Sequence, residues 1–468
     1  MTIGADAGIV DWGVYIATHR LPTSVLAGRK AKGGPERAIA WADEDSVTMA
    51  VDAARRCLKD RPRDNIDLVI FATTTYAFDE KQGAALISAV LGLPKSSRTA
   101  DIGHSLRAGA DALMLANDAV ASGNARNALV MIADCRLGAP GSELERSGGD
   151  AAVAFLIGRE DVAARLTAQA VHSEEIVDVW RRNGDRFTHG WEDRFISQYG
   201  FQEPSAAVAA KLPSAAESMS RTWALSAPNR RALGGLARTL GITPDQLITN
   251  PYDTVGYCGA AHAPLLLAAA LDNARIGHEI AMVAHGDGAS ALLYTVAEER
   301  GSRAFADAVA DRIEVTSQAA YRRARRLDPV EYEPADDQGI SATIHFRERA
   351  EDLRLQGQRC QCGEPQFPKQ RVCIRCGARD CFIAEDFADQ AGALVTYTLD
   401  AFFPSPTPPT AVGVVQVENG PRIYMQIAGL AKGNPTLGMK LRFAFRRIHD
   451  AGRRPNYFWK ALPERSRS

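Results

Sequence analysis

Val130-Met131-Ile132-Ala133-Asp134, Ala139-Pro140-Gly141-Ser142-Glu143-Leu144-Glu145 and Gly148-Gly149-Asp150-Ala151-Ala152-Val153-Ala154-Phe155-Leu156-Ile157-Gly158 together decide the fold. They read as an apolar strand ending in a carboxylate, a proline–glycine loop, and a glycine-led return strand. Strands this continuously apolar are buried on both faces, so helices must cover the sheet on each side. Toward the N-terminus, Asp67 to Ala72 reads as another buried strand, Gly83 to Leu91 as the helix after it, and Ala110 to Ser122 as a further helix. Downstream the scheme repeats, with helices at Ala232 to Leu240 and Ala263 to Asn273 and a strand at Glu279 to Ala284 running into His285-Gly286-Asp287-Gly288. Two similar α/β halves, about 1–165 and 166–327, suggest an internal duplication. Val177 to Lys211, polar and aromatic, reads as an insertion rather than a core element.

Beyond residue 327 the composition changes. Residues 328–340 are acidic, carry two prolines and lack periodicity, as a linker does. A short helix follows around Phe346 to Leu355. Then five of the eight cysteines fall between Cys360 and Cys381. Two cysteine–glycine knuckles, Cys360-Gln361-Cys362-Gly363 and Cys373-Ile374-Arg375-Cys376-Gly377, flank Phe367-Pro368 in the manner of a zinc ribbon. The first knuckle is one residue short of Cys-x-x-Cys. Cys362, Cys373 and Cys376 are its expected ligands, with Cys360 or Cys381 as the fourth. Short strand-like runs at Ala393–Thr398, Ala411–Val417 and Arg422–Ile427, split by proline and glycine turns, suggest a small barrel over 385–468 after a helix-and-ribbon segment at 341–384.

At 468 residues the chain exceeds one hydrophobic core, and its formal net charge of −1 lacks the footprint of a general nucleic-acid binder. No window has the apolar length of a membrane span, and the first residues have no basic, apolar leader. Clustered thiols without a secretion signal favour metal ligation in a reducing compartment, so cytoplasm is expected.

The stretch from Val130 to Gly158, with Asp178-Val179-Trp180-Arg181-Arg182 further on, resembles the 3-hydroxy-3-methylglutaryl-CoA synthase branch of the thiolase superfamily, especially its archaeal members. The resemblance covers roughly residues 8–300. It implies a duplicated five-layer thiolase fold, normally dimeric, and acyl-CoA as substrate. The cysteine module resembles an acyl-CoA-associated family in which a rubredoxin-like zinc ribbon is joined to an OB-fold, and whose members escort thiolases and synthases. The expected architecture is therefore α/β: a duplicated five-layer thiolase fold, then a zinc ribbon and a small all-β OB-fold barrel.

The synthase family's chemistry needs a cysteine at a helix start, a histidine and an asparagine, because a thiolate attacks a thioester while polar partners hold the oxyanion. At the matching positions stand Leu106, Ser226 and Tyr257, and Thr74 replaces the family's glutamate base. Leucine cannot be acylated. Tyr257 is therefore the first candidate for catalysis, as a proton donor or acceptor, or else it fills vacated volume. Cys258 could supply a relocated thiolate, and adjacent Ser105 a substitute nucleophile. His104 and His262 are further catalytic candidates, and His285 and Asp287 occupy a glycine loop that lines the site in relatives. Ser226, Asn229 and Thr74 are expected substrate contacts.

Two functions follow. In one, the chain is a synthase-like subunit of an acyl-CoA carbon–carbon bond forming or cleaving complex, working with a separate catalytic thiolase as a homodimer or hetero-oligomer. In the other, it is a stand-alone lyase performing aldol or retro-aldol chemistry on a β-hydroxyacyl-CoA without acylating itself. Structural zinc and CoA, as part of the substrate, are the implied cofactors. Nucleic acid and membrane are not expected partners.

Overall fold

The computed structural model describes residues 7–59, 61–215, 220–328, 341–403, 405–431, 433–451 and 454–464. Nearly all of the expected linker, 329–340, lies outside them. The chain forms two compact units: residues up to Arg312, apart from 41–44 and 89–92, and the remainder. No helix among the described residues is long and apolar enough to cross a membrane.

The first unit is built on one mixed sheet. Its strands are β1 (Gly8–Ile16), β2 (Ile66–Thr73), β3 (Arg98–Gly103), β4 (Asn127–Asp134), β5 (Ala151–Gly158), β6 (Ala164–Ser173), β7 (Arg221–Leu225), β8 (Glu279–His285) and β9 (Gly288–Val296). The spatial order is β7-β8-β9-β6-β1-β5-β4-β2-β3. The repeat is legible in direction as well as order. In the first half β1, β5 and β4 are antiparallel neighbours, and β4, β2 and β3 run parallel. In the second half β6, β9 and β8 are antiparallel neighbours, β8 and β7 run parallel, and a parallel bridge from Trp223 to Leu247 stands where β3 stands in the first. The two halves meet where β1 and β6 pair through two residue pairs, Gly8 with Arg165 and Ile9 with Ala164.

The decisive stretch folds as its pattern requires. β5 is buried at every position and β4 at all but the first, so the sheet has no solvent face here. Helix α1 (Ser46–Cys57) starts with a capping box, in which the Asp45 side chain accepts the Thr48 amide and the Thr48 hydroxyl accepts the Asp45 amide. It packs against β1 at Gly13, where a Cβ would lie 2.3 Å from the Ala53 carbonyl oxygen and 2.4 Å from the Cys57 nitrogen. Helices α2 (Gly83–Val90), α3 (Ala108–Ala121), α4 (Glu203–Ala209), α5 (Arg230–Thr239) and α6 (His262–Leu271) complete the layers. α6 is buried along its whole length, which accounts for its lack of a polar stripe.

Only part of 177–211 behaves as an insertion. Val179–Trp180 and His189–Gly190 form an exposed two-stranded ribbon. The following π-helical turn, Ile196–Gln202, runs directly into α4. Phe201, Val208 and Leu212 are buried in the second half's core with Leu225, Leu236 and Val283. The reading of this segment as non-core therefore fails from Phe201 onward: its apolar residues recur at helical spacing behind the exposed aromatics.

The second unit contains α7 (Ala342–Arg354), a three-stranded sheet ordered β11-β10-β12 from β10 (Gln356–Cys360), β11 (Pro365–Gln366) and β12 (Phe382–Asp386), and a closed barrel. The barrel strands are β13 (Gly392–Asp400), β14 (Thr410–Val417), β15 (Arg422–Ile427), β16 (Lys440–Ala451) and β17 (Arg454–Pro463), ordered β13-β14-β15-β17-β16. β14 alternates between partly exposed and buried positions, sending Ala411, Gly413, Val415 and Val417 inward. β16 and β17 are strands the sequence reading did not pick out. Their inward Phe443, Phe445 and Trp459 supply the bulk of the core among a high density of arginine and lysine.

The Gly13 contact gives a test of the fold. Gly13→Ala must displace backbone of α1 or β1 and is expected to destabilise the first unit by about 2 kcal/mol or more, read as a lower urea midpoint. Gly33→Ala, at a position with nothing within 4 Å and no left-handed backbone requirement, should leave the midpoint nearly unchanged.

Candidate functional site

Helix α3 begins directly after Leu106 and Arg107, on the turn where the sequence resemblance puts a nucleophile. Leu106 is half-buried there. The β8–β9 turn presses against it: a Cβ on Gly286, whose φ is +142°, would lie 2.7 Å from the Leu106 nitrogen and 2.9 Å from both the Arg107 nitrogen and Ser105 Oγ. Only glycine permits this approach.

The residue before that glycine, His285, closes β8 and joins a buried column of rings. Tyr252 stacks on His262 with centroids 5.6 Å apart, His262 meets Tyr257 at 4.8 Å, Tyr257 stacks on His285 at 6.1 Å, and His285 meets the edge of Phe201 at 4.9 Å. The hydrogen bonds settle the tautomers. His285 Nδ1 lies 3.3 Å from the Ser226 carbonyl, so it carries the proton, and Nε2 accepts from the Tyr257 hydroxyl at a long 3.4 Å. His262 Nδ1 accepts the Cys258 amide at 3.2 Å, so its Nε2–H donates to Asn250 Oδ1 at 2.8 Å.

Burial sets the protonation states. It pushes the Tyr257 phenol up to about 12, against the pull of the Arg136 charge and the Ser226 hydrogen bond. It pushes His262 down to about 3, with the neighbouring His285 adding to the effect, and His285 down to about 4. The Cys258 thiol is wholly buried, donates to the Gly256 carbonyl at 3.5 Å, and is driven well above the ordinary thiol range by burial and then by the Asp150 and Asp134 charges. A thiol so protonated is a poor nucleophile, which counts against the relocated-thiolate expectation.

The structure thus gathers Tyr257, Ser226, His262 and Cys258, and adds His285. It separates the other candidates. Thr74 binds the buried Asp134 carboxylate through both its amide (2.7 Å) and its hydroxyl (2.9 Å), so its side chain holds the backbone rather than facing a substrate. Asn229 is exposed and caps α5, its side-chain oxygen accepting the Ala232 amide at 3.0 Å. His104 is exposed at φ +68°, against the Tyr76 ring at 5.9 Å, outside the column. Asp287 is exposed, its carbonyl accepting the Glu174 amide at 3.2 Å. Tyr252 and Asn250 are members the sequence reading missed. A polar Ile-Thr-Asn-Pro-Tyr run just before the glycine turn was their only signal.

A second cluster lies in the second unit. Cys360, Cys362, Cys373 and Cys376 place all four sulfurs within 4.8 Å of one another, with Cys360–Cys376 and Cys362–Cys373 both at 3.7 Å. Zinc–thiolate bonds of about 2.3 Å in a tetrahedron require sulfur–sulfur edges of about 3.8 Å. The donor set therefore fits a tetrahedral thiophilic ion. Cys381, 3.8 Å from Cys360, lies outside the set of four.

Residues 217–296 match the family described as 3-oxoacyl-[acyl-carrier-protein] synthase III C terminal. The hydroxymethylglutaryl-CoA synthase of Pyrobaculum neutrophilum is 31% identical over 304 residues, covering 61% of this chain and 86% of that protein. The Methanocaldococcus jannaschii hydroxymethylglutaryl-CoA synthase is 28% identical over 344 residues, covering 70% and 95%. An HMG-CoA synthase structure complexed with CoA superposes with a TM-score of 0.62 over 72% of this chain and 94% of that one, at 18% identity, a likeness of fold.

The two depressed histidines make a pH prediction. Each is neutral in the folded unit but would titrate near 6.5 when unfolded, so the unfolded state binds more protons below that value. Their contribution is complete above about pH 6.5 and is lost as the pH falls toward about 4 and then about 3. The unfolding free energy of the first unit, measured by urea titration, should fall between pH 7 and pH 4 by an amount on the order of a few kcal/mol. In the His262→Gln, His285→Gln double variant that slope should flatten. An unchanged slope would show that other groups carry it.

Proposed function

The chain belongs to the hydroxymethylglutaryl-CoA synthase family of the thiolase superfamily, and we propose that within it the chain is a non-acylating subunit of an acyl-CoA carbon–carbon bond forming or cleaving complex. A separate thiolase would carry the nucleophile. Leu106 carries this reading: the helix start against which Gly286 packs holds a side chain with no nucleophilic atom. The ring column supports it. Tyr257, His285 and His262 bond one another or nearby backbone and amide groups, and they lie buried and neutral where a thiolate's polar partners would work. Acyl-CoA is the substrate class, by analogy with relatives named for that chemistry and a related structure that holds CoA.

One observation favours the lyase reading instead. Tyr257's hydroxyl meets His285 Nε2 at 3.4 Å, a buried contact through which a proton can pass without any acyl-enzyme. The two readings diverge in a single experiment. Under the subunit reading the purified chain shows no acetyl adduct by intact mass after incubation with acetyl-CoA, and it does not turn over acyl-CoA alone. Unaided cleavage of a β-hydroxyacyl-CoA, slowed about a hundredfold by Tyr257→Phe, would establish the lyase. An adduct on Ser105 or Cys258 would sink both.

We assign the second unit as a zinc ribbon joined to an OB-fold barrel. The strand order, with parallel β15 and β17 and closure between β13 and β16, is the support for the barrel, and the sulfur geometry is the support for the ribbon. Cys360, Cys362, Cys373 and Cys376 would hold the ion, which supplies cross-linking and no chemistry. The cytoplasm, a reducing compartment in which such a thiolate set stays unoxidised, is the location that goes with this assignment. Metal analysis should find about one zinc per chain. Cys376→Ser should lose it and lower the melting point of the second unit while sparing the first. A zinc-free, fully folded wild-type protein would remove the assignment.

A further inference from the structure

Six large apolar side chains exposed on the first unit fall within residues 171–199: Val171, Val177, Trp180, Trp191, Phe195 and Tyr199. Trp191, Phe195 and Tyr199 are 62%, 49% and 46% exposed, and all three line a groove of about 800 Å³. Apolar exposure concentrated in this way marks an interaction surface. The same groove carries Glu174, Glu175, Glu192 and Glu203, with no lysine or arginine in its lining. Four carboxylates repel the phosphates of CoA, so the nucleotide end of an acyl-CoA is a poor occupant. Alkylammonium and guanidinium groups fit: their methylene stems lie along aromatic faces while the charge meets carboxylates at the rim. The apolar surface also extends past the groove, since Trp191 packs edge-on to Trp180 at 6.4 Å, giving more area than a small cation covers.

We propose that this groove is the docking surface for a basic, apolar-anchored segment of a partner protein. Identifying that partner as the separate thiolase rests on the subunit reading above. Two connections couple the surface to the site. Glu174 on the groove wall donates its amide to the Asp287 carbonyl, in the turn whose Gly286 lies against Leu106. Phe201, two residues after Tyr199, packs on His285. A segment seated here presses on the same turn that covers the vacant nucleophile position.

Fluorescence anisotropy of a labelled amphipathic leucine–lysine peptide with the full chain tests the surface, a leucine–glutamate peptide of equal length serving as control. The lysine peptide should bind and weaken with salt, and the glutamate peptide should not bind. Trp191→Ala and the Glu175→Gln, Glu192→Gln double variant should each weaken binding about tenfold or more. These residues are exposed, so folding is not at stake. Equal binding of both peptides, or binding unchanged in the variants, overturns the proposal. So does wild-type self-association, by sedimentation, that Trp191→Ala abolishes, because the occupant is then a second copy. Loss of acetyl-CoA binding in Trp191→Ala also overturns it, making the groove an acyl-CoA channel. Failure of the subunit reading shows separately, as an acyl adduct or unaided turnover.

Discussion

A carboxylate that never meets water ties the site's backbone together. Asp134, at the end of β4, accepts hydrogen bonds from Thr73 Oγ1, the Thr74 amide and Thr75 Oγ1 on one oxygen, and from Thr74 Oγ1 and the Ala260 amide on the other. Removing any one donor leaves part of a buried charge unsatisfied, a cost of about 1–3 kcal/mol each time. The end of β2, the end of β4 and the turn before α6 are therefore held in one geometry. The room left for a side chain at Gly259 follows from it, since a Cβ there would lie 2.4 Å from Asp134 Oδ2. Tyr257 and Cys258, just before that glycine, inherit their positions from the same carboxylate.

With that frame in place, the substitutions read as a set. On the proposed reading, leucine, serine and tyrosine stand where the synthase resemblance puts a thiolate and its polar partners, and Tyr257 adds its ring to those of Tyr252, His262 and His285. The rings remain hydrogen-bonded, because a buried phenol or imidazole without a partner would destabilise the unit. Low dielectric keeps each of them neutral. On that reading the site keeps the fold of its relatives without the charge separation on which acyl transfer depends.

How far this was legible from sequence depends on what each residue's signal reports. β4, its loop and β5 were readable because short, β-branched apolar runs bounded by a carboxylate, a proline–glycine loop and a glycine pair mark strands buried on both faces. The duplication showed as element order, and the strand directions repeat it. The clustering of four cysteines was readable from their paired spacing, and the fold brings their sulfurs within 4.8 Å of one another. Pairing was not readable. Thr74 and Asn229 were expected to face substrate because of where they fall in a family pattern, but a hydroxyl's partner is set by a strand end sixty residues away, and an asparagine before a helix serves the helix first. His104's direction was not readable either: two residues from a key position say nothing of it once φ turns positive, and here the ring lies exposed beside Tyr76. β16 and β17 were hidden because Arg442, Arg446 and Lys460 interrupt the apolar run that marks a barrel strand.

The two residue pairs joining β1 to β6 bear on how the chain is made. β1 leaves the ribosome before the other strands of this sheet, and its long partner, β5, is synthesised only after most of the first half exists. By the time Gly158 emerges, every strand of that half's sheet is present. The second half's core draws on residues from Ala170 to Leu293, none of them earlier. With so few residue pairs joining the sheet across the middle, the strands of each half can pair in succession during translation, before contacts such as the Ala260 amide on Asp134 bring the halves together. The nascent first sheet then exposes two edges, β3 and β1, and it is β1 that templates β6 as soon as Ala164 and Arg165 appear.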